Sequence, residues 1–107
     1  MTRHLVVAAV LGVTGIAACG PDSRPVRHDV VMQELRFQPV DLVVGTGDTI
    51  TWVNRDIVPH TTVAQDSTWD SGNVPAESSF VLVAERPGSY SYACAYHPAM
   101  VARLVVR

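Results

Sequence analysis

The chain has 107 residues, of which 48% are hydrophobic and 17% charged, and its formal net charge is −2. That length accommodates one small domain, and eight basic residues against ten acidic ones, the basic ones all Arg, leave no electrostatic footprint for nucleic acid. Two Cys, four His and three Met exclude a multi-bridge disulfide scaffold and a four-thiolate zinc site, so any metal chemistry rests on very few side chains.

The N-terminus begins with the short basic stretch Met1-Thr2-Arg3-His4 and continues into an apolar run from Leu5 to Ala18. Residues 1–18 read as a secretory signal peptide. As a helix this run would rise about 21 Å, short of the roughly 30 Å hydrocarbon core of a bilayer, which disfavours a permanent span. Ile16-Ala17-Ala18-Cys19 resembles the bacterial lipoprotein box. That resemblance implies a Cys19 lipidated on its sulfur, anchoring the mature chain to a membrane on the periplasmic or cell-surface side. An ordinary signal peptide, with Cys19 incidental or in a disulfide, is the alternative. Residues 19–29 carry two Pro and no period, which predicts a flexible tether with His28 as a solvated residue inside it.

From residue 30 to 107 short runs rich in Val, Thr, Tyr, Phe and Trp follow one another, separated by Gly, Pro, Asn and Asp. The runs Val30–Phe37, Val40–Val44, Asp48–Asn54, Thr61–Gln65, Ser79–Ala84, Ser89–Cys94 and Val101–Val106 predict strands. Ile50 and Trp52 share one face, Phe80, Leu82 and Ala84 another, and Tyr90, Tyr92 and Cys94 a third. Seven short strands with turn signals between them predict an all-β, antiparallel β-sandwich.

Chemistry concentrates in Cys94-Ala95-Tyr96-His97-Pro98-Ala99-Met100, which places a thiol, an imidazole and a thioether at i, i+3 and i+6 just after a strand. A tight loop can fold all three around one centre. A fourth donor is required, and with His4 in the signal and His28 in the tether, His60 is the histidine left outside this loop. Two His, one Cys and a weak axial Met suit a blue-copper electron-transfer site. Zinc is the rival ion, since Cys and two His leave a fourth position for water, but a thioether is a poor zinc ligand. Cys94 as a small buried hydrophobe and Met100 as a gap-filler remain the ordinary alternatives.

The segments Gly47-Asp48-Thr49-Ile50-Thr51-Trp52-Val53-Asn54, Pro59-His60-Thr61, Asp70-Ser71-Gly72, Pro87-Gly88-Ser89-Tyr90-Ser91-Tyr92 and Cys94-x-x-His97-x-x-Met100 resemble, in order, the cupredoxins or type 1 blue copper proteins. Amicyanin-like and plastocyanin-like members are the most similar. The resemblance implies a Greek-key β-sandwich holding one copper ion, with His60, Cys94 and His97 in the near-trigonal plane and Met100 as the long axial ligand. It implies a backbone N–H from Thr61 to the Cys94 sulfur, where the family more often has Asn. Tyr96 stands where these relatives usually carry Pro, and its N–H is expected to make a second bond to that sulfur. Ala102 stands where Gly is common, which would strain the chain if the position required positive φ.

Four protein donors leave no position for substrate, so the expected function is one-electron transfer by a monomeric, membrane-anchored shuttle rather than catalysis. Redox partner proteins are expected to dock near His97, inside an apolar collar of Tyr96, Pro98, Ala99 and Pro59. A copper carrier or storage protein using the same ligands and a metal-free β-sandwich interaction module are the alternatives. Trp52, Trp69 and Met32 read as packing residues, and Asp41, Asp48, Asp56, Asp66, Asp70, Glu77 and Glu85 as solvated turn residues.

Overall fold

The computed structural model describes residues 24–107. The leader at 1–18 and Cys19 lie outside them. Eight strands follow in chain order: β1 (Arg27–Gln33), β2 (Arg36–Gln38), β3 (Asp41–Val44), β4 (Thr49–Asn54), β5 (Val63–Ala64), β6 (Ser79–Val83), β7 (Gly88–Ala93) and β8 (Val101–Val106). They form two four-stranded sheets, ordered β2-β1-β4-β6 and β3-β8-β7-β5. The all-β sandwich is thus as expected, but its sheets are mixed rather than wholly antiparallel. β1 runs parallel to β4 and β3 parallel to β8. Between β1 and β4 the chain visits the other sheet as β3 and returns in its original direction, which a simple hairpin cannot do.

Alternation sorts the side chains. In β4, Ile50 and Trp52 are buried at 0% exposure; in β8, Ala102, Leu104 and Val106 face inward while Val101 and Arg103 face out. Trp52 of β4 meets Tyr92 of β7 edge to face at 5.6 Å between ring centroids, and Trp69 packs on both at 5.7 and 5.6 Å. Phe80 of β6 and Phe37 of β2 extend the cluster at 5.9 Å from Trp52 and 4.7 Å from Tyr92. Such pairs add about 0.5–1.5 kcal/mol each beyond the area they bury. Here they lock one sheet to the other. Met32 is buried in the same core, as expected.

Two strand boundaries are corrected. The single run Val30–Phe37 is a hairpin, because Glu34 and Leu35 turn the chain with φ of 55° and 57°. Neither residue favours that left-handed region, at a cost of roughly 1–2 kcal/mol apiece. An outside partner must therefore hold the turn, and alternation alone cannot reveal it. The tether also ends earlier than residue 29. β1 starts at Arg27, Arg27–Asp29 pair with Thr49–Thr51, and His28 Nε2 donates to Asp48 Oδ2 at 2.9 Å. A polar composition hid a strand whose pairing is supplied by its neighbour.

Asp48 is no solvated turn residue. It is buried, and its carboxylate also accepts the N–H groups of Val26 and Gly45 at 2.9 and 2.8 Å. The Val26 N–H, then the His28 ring and the Gly45 N–H, hold its carboxyl down at about 2. The native state therefore favours the ionised form, and on acidification the unfolded chain takes up this proton first. Stability from Asp48 is present above about pH 4 and is lost as the pH falls through about 2. Asp48→Asn is expected to lower the urea midpoint at neutral pH and to flatten its decline between about pH 4 and pH 2. A variant whose midpoint declines as steeply as the wild type's would refute this role.

Candidate metal centre

The register of β7 against β8 pairs Ala93 with Val101, so the hairpin connecting them opens with Cys94 opposite Met100. Cys94 N–H donates to the Met100 carbonyl at 3.0 Å, and Met100 N–H donates to the His97 carbonyl at 2.8 Å. This short loop closes on itself and brings Cys94 and His97 to one side. Both Cys94 and Met100 are buried, whereas His97 is half-buried.

His60 arrives from the other sheet. Beyond the end of β4 the chain bends through residues 55–59, organised by the fully buried Asn54. Its Nδ2 donates to the carbonyls of Val58 and Val74 at 2.9 and 3.0 Å, and its Oδ1 accepts the Asp56 N–H at 2.9 Å. His60 then forms both backbone bonds of a bridge with Val74, at 3.1 and 2.8 Å. Its ring, at 0% exposure, sits with Nε2 2.6 Å from Asp56 Oδ2. An ionised carboxylate only accepts hydrogen bonds, so the ring proton belongs on Nε2 and the Nδ1 lone pair is left for a metal. Burial would raise the Asp56 carboxyl; the bonds from the His60 ring and from the Leu35 and Glu34 N–H groups outweigh it and hold it below the usual carboxylate range.

The two rings face the sulfur. Cys94 Sγ lies 3.8 Å from His60 Nδ1 and 3.6 Å from His97 Nδ1, and the ligand atoms of all three residues fall within 4.8 Å of one another. Donors spread trigonally at bonds of about 2.0–2.3 Å stand about 3.5–4 Å apart. Both sulfur–nitrogen distances fall in that range, and one soft sulfur beside two imidazoles is a donor set that suits copper.

Thr61 braces the sulfur from both its backbone and its side chain. Its N–H donates to Cys94 Sγ at 3.3 Å, and its Oγ1 accepts the Ala95 N–H at 2.7 Å while lying 3.9 Å from the sulfur. The hydroxyl thus ties the two loops together. The second bond expected from Tyr96 is not formed. Among the described residues the only backbone N–H donating to Sγ is that of Thr61, and Tyr96 instead donates its hydroxyl to Asn73 Oδ1 at 2.8 Å. Ala102 lies within β8 and is absent from the positive-φ residues, so Ala is unstrained there.

Two residues that hold the site escaped the sequence. Asp56 reads from the sequence as a solvated acid, although a carboxylate four positions before a candidate ligand histidine is a usable signal. Asn54, at a strand end, carried none. Tyr96, Pro98 and Ala99, which flank the half-buried His97 in the chain, are exposed, as are Ile57, Val58 and Pro59 just before His60, and none of the six carries a charge.

A mixed β-sandwich whose strand ends gather a buried His60 and Cys94 with a half-buried His97 has the form of a small β-protein with one thiolate metal centre. The chain belongs to the cupredoxin-like domain family, whose model matches residues 5–106. It is similar to amicyanin from Paracoccus denitrificans, 29% identical over 82 residues, covering 72% of this chain and 63% of the relative. The chain thus spans less than two thirds of that relative's length. Among solved structures it is similar to a purple cupredoxin from Nitrosopumilus maritimus, at 26% identity and a TM-score of 0.70, over 74% of this chain and 98% of that one. It is also similar to a copper-containing nitrite reductase from Thermus scotoductus, at 25% identity and a TM-score of 0.70, over 78% of this chain but 22% of that one.

Thr61→Val keeps the backbone bond to sulfur and removes the acceptor for Ala95. The expected loss is about 0.5–1.5 kcal/mol in urea unfolding, with faster amide exchange at Ala95 and an unchanged ligand trio. Unaltered Ala95 exchange would show that the hydroxyl does not tie the loops.

Proposed function

We propose that this protein transfers single electrons through one mononuclear type 1 copper ion, held by His60, Cys94, His97 and Met100, as a monomeric shuttle anchored to a bacterial membrane by a lipid on Cys19. The single observation that carries this is the buried Cys94 sulfur flanked by two imidazole Nδ1 atoms and bonded by the Thr61 N–H. Copper, when bound, supplies the one-electron chemistry. Thiolate and thioether favour its reduced form and imidazole suits both forms.

The remaining contributions belong to the chain. The Thr61 N–H bond to Sγ draws charge from the thiolate, which favours the reduced state. Asp56 keeps the His60 ring proton away from the ligand nitrogen. Burial of Cys94, His60 and Met100 excludes water, so little solvent reorganises when charge changes. His97 is the half-exposed ligand, and the exposed uncharged residues that flank it and that precede His60, with Ile57 97% exposed, suit brief docking of redox proteins. Four protein donors leave no substrate position, which favours a carrier over an enzyme. The similarity to a nitrite reductase spans 22% of that chain and is compatible with a carrier module inside a larger assembly. Zinc is the weaker alternative because Met100 is a poor ligand for it.

Adding Cu(II) to the apo protein is expected to produce an intense visible thiolate-to-copper band that disappears reversibly on reduction and is absent from Cys94→Ala. A band that survives in Cys94→Ala, or no copper binding at all, sinks the assignment. Expression in a bacterial host is expected to place the chain in the membrane fraction with an N-terminal lipid visible by mass spectrometry. Cys19→Ala is expected to abolish that mass and release the protein; a wild type recovered without lipid refutes the anchor.

A further inference from the structure

The Asp56 carboxylate serves two parts of the molecule at once. Its Oδ1 accepts the Glu34 N–H at 2.7 Å, and its Oδ2 accepts the Leu35 N–H at 3.1 Å together with His60 Nε2 at 2.6 Å. Both N–H groups belong to the β1–β2 turn, where two non-glycine residues sit at φ of 55° and 57°. Such a turn persists only when its surroundings hold it. Leu35 is 49% exposed and shares a shallow cleft with Ala99, Met100 and Val101, so the turn adjoins the loop that carries the other ligands.

We propose that Asp56 is a positioning residue that clamps the β1–β2 turn to the His60 ring, so that the conformation of this surface turn and the orientation of a copper ligand are coupled. The proposal rests on the copper reading for its consequence, but not for its geometry. A carboxylate offers enough lone pairs for all three donors, and no neutral side chain of this size does. Displacing the turn pulls on the same oxygen that fixes the tautomer and tilt of the ring. A protein docking against Leu35 would thereby reach the metal ligand through two hydrogen bonds, without touching the metal.

Three variants of the full chain test the clamp: Asp56→Ala, Asp56→Asn, and one Gly inserted between Glu34 and Leu35. In the metal-free protein, ring ¹⁵N shifts report the His60 tautomer and amide exchange reports Glu34 and Leu35; copper affinity is measured by competition with a chelator. Asp56→Ala is expected to lose the pure Nε2–H tautomer, to speed exchange at both amides by at least about tenfold, and to weaken copper binding about 10–100-fold. Asn keeps a carbonyl for Leu35 and His60 but turns its amide against the Glu34 N–H. It is expected to speed exchange at Glu34 alone and to leave the tautomer intact. The inserted Gly, which spares every ligand and Asp56 itself, is expected to shift the His60 ring signals and lower copper affinity. An unchanged tautomer in Asp56→Ala, or an insertion that moves neither ring signals nor affinity, overturns the proposal. If Asp56→Ala does not fold, Asn and the insertion decide the matter. A wild type that binds no copper would remove the proposed function, while the ring and amide signals would still judge the clamp.

Discussion

The contact of Trp52 with Tyr92 across the sandwich is the constraint on which the rest depends. Trp52 lies in the strand whose end leads to His60, and Tyr92 lies two residues before Cys94. Locking these two rings together, with Trp69 filling the third side, fixes how far the end of β4 stands from the end of β7. The sulfur and the first imidazole inherit that spacing. Close-packed cores deform little, so a site suspended from such a pair is held before any metal arrives. That suits the proposed electron transfer, in which a rigid ligand set keeps reorganisation small when the ion changes charge.

Around this frame, hydrogen bonds finish what packing begins. Asn54 shapes the bend, the Val74 bridge aligns the His60 backbone, and Asp56 orients its ring. Thr61 holds the sulfur from its main chain and the Ala95 backbone from its side chain. The result is asymmetric. His60 is enclosed, with Nε2 tied to Asp56 and Nδ1 turned to the sulfur, whereas His97 sits half-buried on a short loop at the surface. One imidazole is held inside the protein and the other reaches its surface.

Much of this was legible in the primary structure because it depends on local patterns. Period-2 alternation identifies β3, β4, β6, β7 and β8 to within a residue or so, since apolar residues recur at every second position along each. It failed at Glu34–Leu35, where the turn carries no glycine and is held by a residue some twenty positions away. It also failed at Arg27–Asp29, polar residues made into a strand by their pairing with β4. Asp48 and Asp56 read as loop acids because most of the groups that donate to them, at Val26, His28, Glu34 and Leu35, lie about twenty positions away in the chain.

The sequence by itself determined the kind of chemistry: one thiol, two imidazoles and a thioether, three of them on a loop too short to separate them. It determined the all-β architecture as well, because hydrophobic alternation is a property of the chain. Only the tertiary structure decided what holds these groups in place. The partners of Asp56, Asn54 and Thr61 are brought near by strand order and by mixed, partly parallel pairing. Hydrogen bonds between segments distant in the chain follow from which strands adjoin, and no local pattern encodes that.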